Sequence, residues 1–271
     1  MGIRILGLLK LIFGFLRIEI YKDNKLVAQK VKFLPMGEIK ASRESPDISL
    51  FGKKLIKGYI DNSSGSLAYD ISFNINGYFV DLHFISDTEG WKGHVPGSRW
   101  IVAMPYATVS GKLIVDNKEI LAKGAGYHDH NWNVTPPVAL NHGWFWGKTN
   151  SQSFSIVWSA ILRKKNLFEP LIVVNEKNNG YYNIDPSCIN FKIGDLRRFG
   201  RKKIPYHFSI TADDNLINLE LDMKVLDIHH AKIMGVFNYW RYLINYIGFI
   251  SSKGKEEKIG ETRIAEFLIF G

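Results

Sequence analysis

Cysteine is almost missing from this chain: Cys188 is the only one among 271 residues. A lone cysteine excludes an internal disulfide framework and a cysteine-based zinc site. Cys188 itself reads as a core residue rather than a nucleophile. The composition fits a reducing compartment, so the expected location is the cytoplasm. Long apolar runs are also missing. The most apolar stretch, residues 3–16, falls short of the ~20 residues that span a bilayer. It lacks the small-residue cleavage site of a secretory signal. No phosphate loop, GxSxG elbow or paired-cysteine pattern occurs, which sets aside the chemistry those motifs serve. No Pro/Gly linker cuts the chain cleanly.

What is present is an ordinary globular composition. Apolar residues make up 46% and charged residues 23%, enough for a sizeable core in one large domain or two small ones. The net charge is +9 and the pI about 9.4. Part of the excess sits in Arg197, Arg198, Arg201, Lys202 and Lys203. No recognition helix or nucleic-acid motif accompanies that run. It reads as a solvated loop, and no nucleic-acid partner is expected.

Residues 3–16 are apolar apart from Arg4 and Lys10, and Arg17 follows. On a helix, Gly7, Lys10, Gly14 and Arg17 share one face, and Leu, Ile and Phe fill the others. That is the pattern of a short N-terminal helix lying in a membrane interface, which would make residues 1–17 a peripheral membrane contact. The alternative is a helix or strand packed on the protein's own core.

Most of the remainder reads as strands. Leu26 to Leu34, Ser66 to Asn74, Gly77 to Ser86, Trp100 to Met104 and Thr108 to Val115 are short runs rich in Ile, Val, Phe and Tyr. Turn residues at 22–25, 62–65, 74–77 and 116–118 separate them. Ser153 to Leu162, Leu167 to Val174, Cys188 to Ile193, Tyr206 to Thr211, Leu216 to Leu226 and Thr262 to Phe270 continue the pattern. Close spacing with turn signals predicts antiparallel β architecture. Val236 to Phe249, aromatic and apolar almost throughout, fits either a short helix or a buried strand. Pro136 and Pro137 break regular structure. The expected division is residues 1–148 and 149–271, two antiparallel barrels or sandwiches.

The densest chemistry lies in Gly124 to Trp132, Gly-Ala-Gly-Tyr-His-Asp-His-Asn-Trp. Twelve residues after Trp132 comes Trp144-Phe145-Trp146-Gly147-Lys148. Side chains alternate along an extended chain. His128, His130 and Trp132 therefore share one face, and Tyr127, Asp129 and Asn131 the other. Three chemistries follow. A desolvated Asp129 could act as a general acid toward an alkene or enol oxygen. His128 and His130, with His142 or His94, could begin a metal site. The cluster could also be structural, its polar groups satisfying one another. No spaced carboxylate completes a metal site, so no metal is expected.

These residues resemble the signature of the carotenoid 1,2-hydratase/AttH-like superfamily. That group includes the lipocalin-like fungal Diels–Alderases and, more distantly, tocopherol cyclase. The approach is similar as well: Trp100, Pro105, Val109-Ser-Gly111, a short hairpin, then Gly124-Ala-Gly126. The resemblance covers about residues 98–160. It departs at Asn133, where the family pattern has glycine, and the chain is shorter than most members. It implies an all-β fold of two lipocalin-like antiparallel barrels and an apolar, isoprenoid or polyene-like ligand. It implies hydration, cyclisation or pericyclic closure without a cofactor; a non-catalytic lipid carrier is the alternative. By position, the implied catalytic residues are Asp129, His128 and His130. The implied substrate-binding residues are Tyr127, Asn131, Trp132, Trp144, Trp146 and Lys148.

Overall fold

The structure is a computed structural model. It describes residues 2–5, 13–23, 25–42, 44–95, 97–132, 143–164, 167–177, 179–233 and 237–269. Among them there are strands and two short 3-10 turns but no α-helix. Among the described residues the strands pair antiparallel. The fold is all-β and built of curled antiparallel sheets.

Three strands open the chain: β1 (Gly2–Ile5), β2 (Phe13–Lys22) and β3 (Lys25–Pro35), in the order β1-β2-β3. This corrects the expected N-terminal helix. Leu16 and Ile18 alternate with Arg17 and Glu19 along β2. The turn at 22–25 folds β2 onto β3, pairing Lys22 with Lys25. Leu16 is 3% exposed and Ile18 1%, and both join the first core cluster. Strand pairing plus burial outweighs the helical cation face, of which Gly7 and Lys10 lie outside the described residues. No helix among the described residues is long and apolar enough to cross a membrane.

A second sheet takes β4 (Ile39–Ala41), β5 (Ile48–Leu50), β6 (Lys53–Ile60), β7 (Leu67–Ile75), β8 (Tyr78–Ser86), β9 (Trp91–Val95), β10 (Ser98–Val115) and β11 (Lys118–Trp132). Its order is β11-β10-β8-β7-β6-β5-β4, with β9 on β10. The runs at 100–104 and 108–115 are one strand, β10, which passes through Pro105. Its ladder to β8 begins at Ala107, so the missing N–H of Pro105 breaks no bond there.

The third sheet holds β12 (Gly143–Asn150), β13 (Phe154–Lys164), β14 (Leu167–Glu176), β15 (Gly180–Asn183), β16 (Ile189–Phe199), β17 (Lys202–Asp213), β18 (Ile217–Ile233), β19 (Phe237–Ser252) and β20 (Lys255–Ile269). Its order is β15-β14-β13-β12-β20-β19-β18-β17-β16. The ambiguous segment 236–249 is therefore a buried strand from Phe237 onward, and the last strand slots between β12 and β19. The sheet curls until β16 at one edge meets β14 near the other, with Phe168 and Phe191 rings 5.4 Å apart. Aromatic side chains fill the interior: Phe145, Trp158, Phe208, Trp240, Tyr242, Tyr246 and Phe267 are each at most 4% exposed.

The chain separates into two compact units. One is Met1–Thr88 with Val102–Asp129. The other is Glu89–Ile101 with His130–Gly271. A cut at 148/149 would fall inside β12.

Two carboxylates on β20 anchor the turn at the end of β12. Thr149 Oγ1 and the Asn150 backbone N–H donate to Glu261 Oε1 at 2.9 and 2.7 Å. Ser151 Oγ and the Ser153 N–H donate to Glu257 Oε2 at 2.7 and 2.8 Å, and Lys255 Nζ lies 2.6 Å from Oε1. Burial pushes the Glu257 carboxyl up. Those donors outweigh it and hold it at about 2, against an ordinary 4.5. A depressed value means stability that is full above pH 4.5 and is lost as pH falls toward 2. Glu257→Gln is expected to flatten the acid limb of unfolding in that window, read by denaturant titrations at stepped pH. An unchanged limb would remove this anchor.

Gly147 sits where a Cβ would meet Trp158 at 2.5 Å and the Tyr246 hydroxyl at 2.6 Å. Both neighbours are fully buried, so neither can retreat cheaply. Gly147→Ala is expected to destabilise the chain by about 1–3 kcal/mol, as overpacked cores do. A loss of only a few tenths in chemical unfolding would contradict that packing.

Candidate functional site

The motif occupies the end of β11, and strand alternation distributes it. At Gly126 a Cβ would run into Phe84 and Val109 of the first core, so only glycine lets β11 lie this close. Two residues on, His128 faces the same way. Its ring meets Tyr69 edge-on, centroids 5.0 Å apart at 85°, and His128 Nδ1 is 3.1 Å from Tyr69 OH. Burial pushes the Tyr69 phenol up to about 12. At neutral pH it therefore stays a neutral hydroxyl beside the imidazole. On the opposite face Tyr127 OH donates to Asp129 Oδ2 at 3.0 Å. Both His128 and Asp129 are half-buried.

Asp129 ends one compact unit and His130 begins the next. Within the second unit His130 lies parallel to Trp132, centroids 5.9 Å apart at 8°. Lys92 Nζ stands over the Trp132 ring at 5.7 Å, so an indole face is already occupied by a cation. Asn131 is exposed, with Ser98 Oγ 3.4 Å from its Oδ1. His128 with Tyr69, Tyr127 with Asp129, and His130 with Trp132 are the pairings the alternation brings about. Among the described residues no group of three or more His, Cys, Asp or Glu is placed to hold a metal. His142 lies outside those residues.

On β12 the parity runs the other way. Phe145 and Gly147 turn into the aromatic interior, where Phe145 stacks on Phe267 with centroids 4.0 Å apart. Trp144, Trp146 and Lys148 take the opposite face and are half-buried. Pairing sets their neighbours. Trp146 is opposite Ser159 on one side and Glu266 on the other, and Glu266 is opposite Arg241. Arg241 Nη2 donates to Glu266 Oε1 at 3.2 Å, and Nε and Nη2 donate to Tyr239 OH at 3.1 and 2.8 Å. Arg241 is 8% exposed, Glu266 5% and Tyr239 2%. A buried ion pair pays heavily for desolvation, and here it adjoins the motif's own indole.

No family model matches the chain. Among curated proteins it is 26% identical over 198 residues to hydroxyneurosporene dehydrogenase of Chlorobaculum tepidum, covering 69% of this chain and 48% of that protein. A shorter match is 26% identical over 68 residues. It covers 25% of the chain and 19% of a quinolone epoxide rearrangement protein of Emericella nidulans. The chain thus spans half or less of the length of these curated relatives. Solved structures align along nearly all of it. An AttH-type protein from Nitrosomonas europaea gives a TM-score of 0.69 at 12% identity, covering 94% of this chain and 80% of its own. Kievitone hydratase from Nectria haematococca gives 0.66 at 12%, covering 96% and 81%. CghA gives 0.56 at 9%, covering 96% and 84%. The chain has the AttH-like, lipocalin-like fold.

The sequence pattern missed Arg241, Glu266 and Tyr239. The signal was there: Arg241 is a lone cation in Tyr-Trp-Arg-Tyr-Leu-Ile, and Glu266 a lone anion in Ile-Ala-Glu-Phe-Leu-Ile. Opposite charges stranded in two apolar strands imply each other once the strands are known to pair. The contact between Tyr69 and His128 had no such signal, because 59 residues separate them. Tyr69→Phe is expected to cost about 1 kcal/mol and to change the 15N shift of His128 Nδ1. An unmoved Nδ1 signal would show that the phenol does not set that tautomer.

Proposed function

We propose that the chain binds an apolar, isoprenoid or polyene-like molecule and catalyses cofactor-free hydration or cyclisation. One observation carries the reading. The face of β12 that presents Trp144, Trp146 and Lys148 also holds the buried Arg241–Glu266 pair. Indoles offer an apolar body dispersion and hydrophobic contact, and their faces stabilise a developing carbocation. The interior of the same sheet is packed with its own rings, so a lipid carried inside that barrel, as in the carrier alternative, finds no support there.

In this reading Asp129, His128 or His130 manages the proton. Protonation of a carbon–carbon double bond leaves a cation. Attack by water followed by proton loss completes a hydration, whereas attack by a second double bond followed by proton loss completes a ring closure. Both need only a proton donor and acceptor. The Tyr69 hydroxyl contacts the His128 imidazole and the Tyr127 hydroxyl donates to the Asp129 carboxylate, which orients both groups. The relatives' names point the same way in part: one is a hydratase, and another is named for hydroxyneurosporene. That second name denotes a dehydrogenase. The described residues contain no α-helix, hence no helix N-terminus of the kind that cradles a dinucleotide pyrophosphate. Proton chemistry suits these residues better than hydride transfer.

Incubation of the purified chain with acyclic isoprenoids, without added cofactor, tests this by mass spectrometry. Hydration adds the mass of one water; cyclisation keeps the mass and shifts retention. Asp129→Asn is expected to cut turnover by roughly 10²–10⁴ with unchanged thermal stability. Ligand capture with no product from the unaltered chain would favour the carrier. Full turnover in the variant would take the proton role away from Asp129.

A further inference from the structure

The basic run at 197–203 is not the solvated loop that its composition suggests. It closes a hairpin. Arg197 is opposite Ile204, Arg198 opposite Lys203 and Phe199 opposite Lys202 in the β16–β17 ladder, with Gly200 and Arg201 at the turn. Parity sorts the side chains. Ile204 belongs to the second core and Phe199 packs against that core, so Leu196, Arg198 and Lys203 take the outer face. Arg197 is committed within the protein: it pairs with Asp195 at 2.5 Å and lies over the Tyr206 ring at 4.6 Å. Asp195 is the only carboxylate in 195–203. Arg198, Arg201 and Lys203 are exposed, and among the described residues no carboxylate pairs with them.

Two leucines adjoin these cations. Leu196 is 54% exposed and lies two residues from Arg198 on the same face. Leu226 is 49% exposed. It comes two residues after Lys224 on the outer face of β18, and Lys224 is opposite His207. The nearby carboxylates are engaged: Asp222 with His207 at 2.5 Å, and Asp227 with the Ile228 backbone N–H at 2.8 Å. Like charges directly opposite one another weaken a hairpin, and Arg198 with Lys203 is such a pair. Scattered surface leucines are ordinary; here two share a patch with three unpaired cations. A bilayer interface complements both features, because anionic headgroups take the cations and the acyl boundary takes the leucines. Nucleic acid would take the cations and leave the leucines in water.

We propose that the tip of the β16–β17 hairpin, with Leu226 beside it, docks on an anionic membrane surface. The assignment does not use the apolar-ligand reading and stands or falls apart from it.

Co-sedimentation of the full chain with lipid vesicles tests it. The chain is expected to bind vesicles of phosphatidylcholine with phosphatidylserine, not phosphatidylcholine alone, and to bind less as salt rises. Each cation near an anionic surface is worth about fivefold in affinity. Arg198→Gln, Arg201→Gln and Lys203→Gln together should therefore weaken binding about a hundredfold. Lys53→Gln, Lys118→Gln and Lys123→Gln remove the same charge from exposed lysines of the other compact unit and should leave it within about fivefold. Leu196→Ser with Leu226→Ser should weaken vesicle binding about tenfold. The hairpin glutamine variant should melt at an equal or higher temperature, since the Arg198–Lys203 opposition is relieved. A melting temperature lowered by several degrees would show that the cations serve the fold and overturn the assignment. Equal loss from the two glutamine sets would reduce the effect to net charge and overturn it. Full vesicle binding by the leucine variant, with polyuridylate bound as tightly as vesicles, would make the patch a polyanion surface instead. Absence of binding to anionic vesicles would overturn the docking and leave the apolar-ligand reading untouched.

Discussion

A slip of β12 by one residue would turn its signature inside out. Side-chain parity in a strand is two, so Trp144 and Trp146 would enter the aromatic interior and Phe145 would leave it. What prevents the slip is the stack of Phe145 on Phe267, 4.0 Å between centroids and 10° between planes. Gly147, one turn of the pleat further on, leaves room for the Trp158 indole and the Tyr246 hydroxyl and for nothing larger. The carboxylates of Glu257 and Glu261 then hold the far end of the strand. The placement of Trp144, Trp146 and Lys148 on the face away from the aromatic interior depends on that register.

The same parity explains where charge is tolerated. Arg241 sits between Trp240 and Tyr242, both wholly in the interior, so its own side chain must point the other way. Glu266 stands likewise between Ala265 and Phe267. The strand order makes β20 the neighbour of both β12 and β19, which delivers anion to cation. Replacing either residue alone breaks this buried ion pair, a far larger loss than the pair's own contribution. The third sheet is therefore a layer with an aromatic side and a side that carries Trp144, Trp146 and the Arg241–Glu266 pair among aliphatic side chains.

Legibility from the sequence followed local pattern. The hairpins around 74–77 and 22–25 were readable because turn residues and alternating strands lie side by side in the chain. The faces of the motif were readable for the same reason: His130 with Trp132, and Tyr127 with Asp129, are i,i+2 pairs. The N-terminal helix was misread because Gly7, Lys10, Gly14 and Arg17 satisfy a helical spacing, while Leu16 and Ile18 satisfy a strand spacing equally well. Partnership with β3 decided it, and pairing is not a property of one segment. The Tyr69–His128 contact escaped because 59 residues separate its partners. The ion pair escaped because the segment 236–249 was open between helix and strand, so its hairpin pairing with the last strand was not read.

Low identity to solved structures along 94–96% of this chain shows what the fold requires. At 9–12% identity, few interior residues can be shared, yet a curled antiparallel sheet persists as long as bulk alternates with bulk on one face. Such a sheet constrains its inner face by volume and leaves its outer face free to carry chemistry. In both motif strands a glycine marks the boundary between those two demands. Gly126 yields to Phe84 and Val109 inside; Gly147 yields to Trp158 and Tyr246 inside. Each strand is thereby pressed against its core, and the residues flanking the glycine on the other face, Tyr127 in one strand and Trp146 and Lys148 in the other, are held with little freedom to turn away. Preorganisation of that kind suits the proposed apolar ligand, which would supply no charge of its own to align the groups around it.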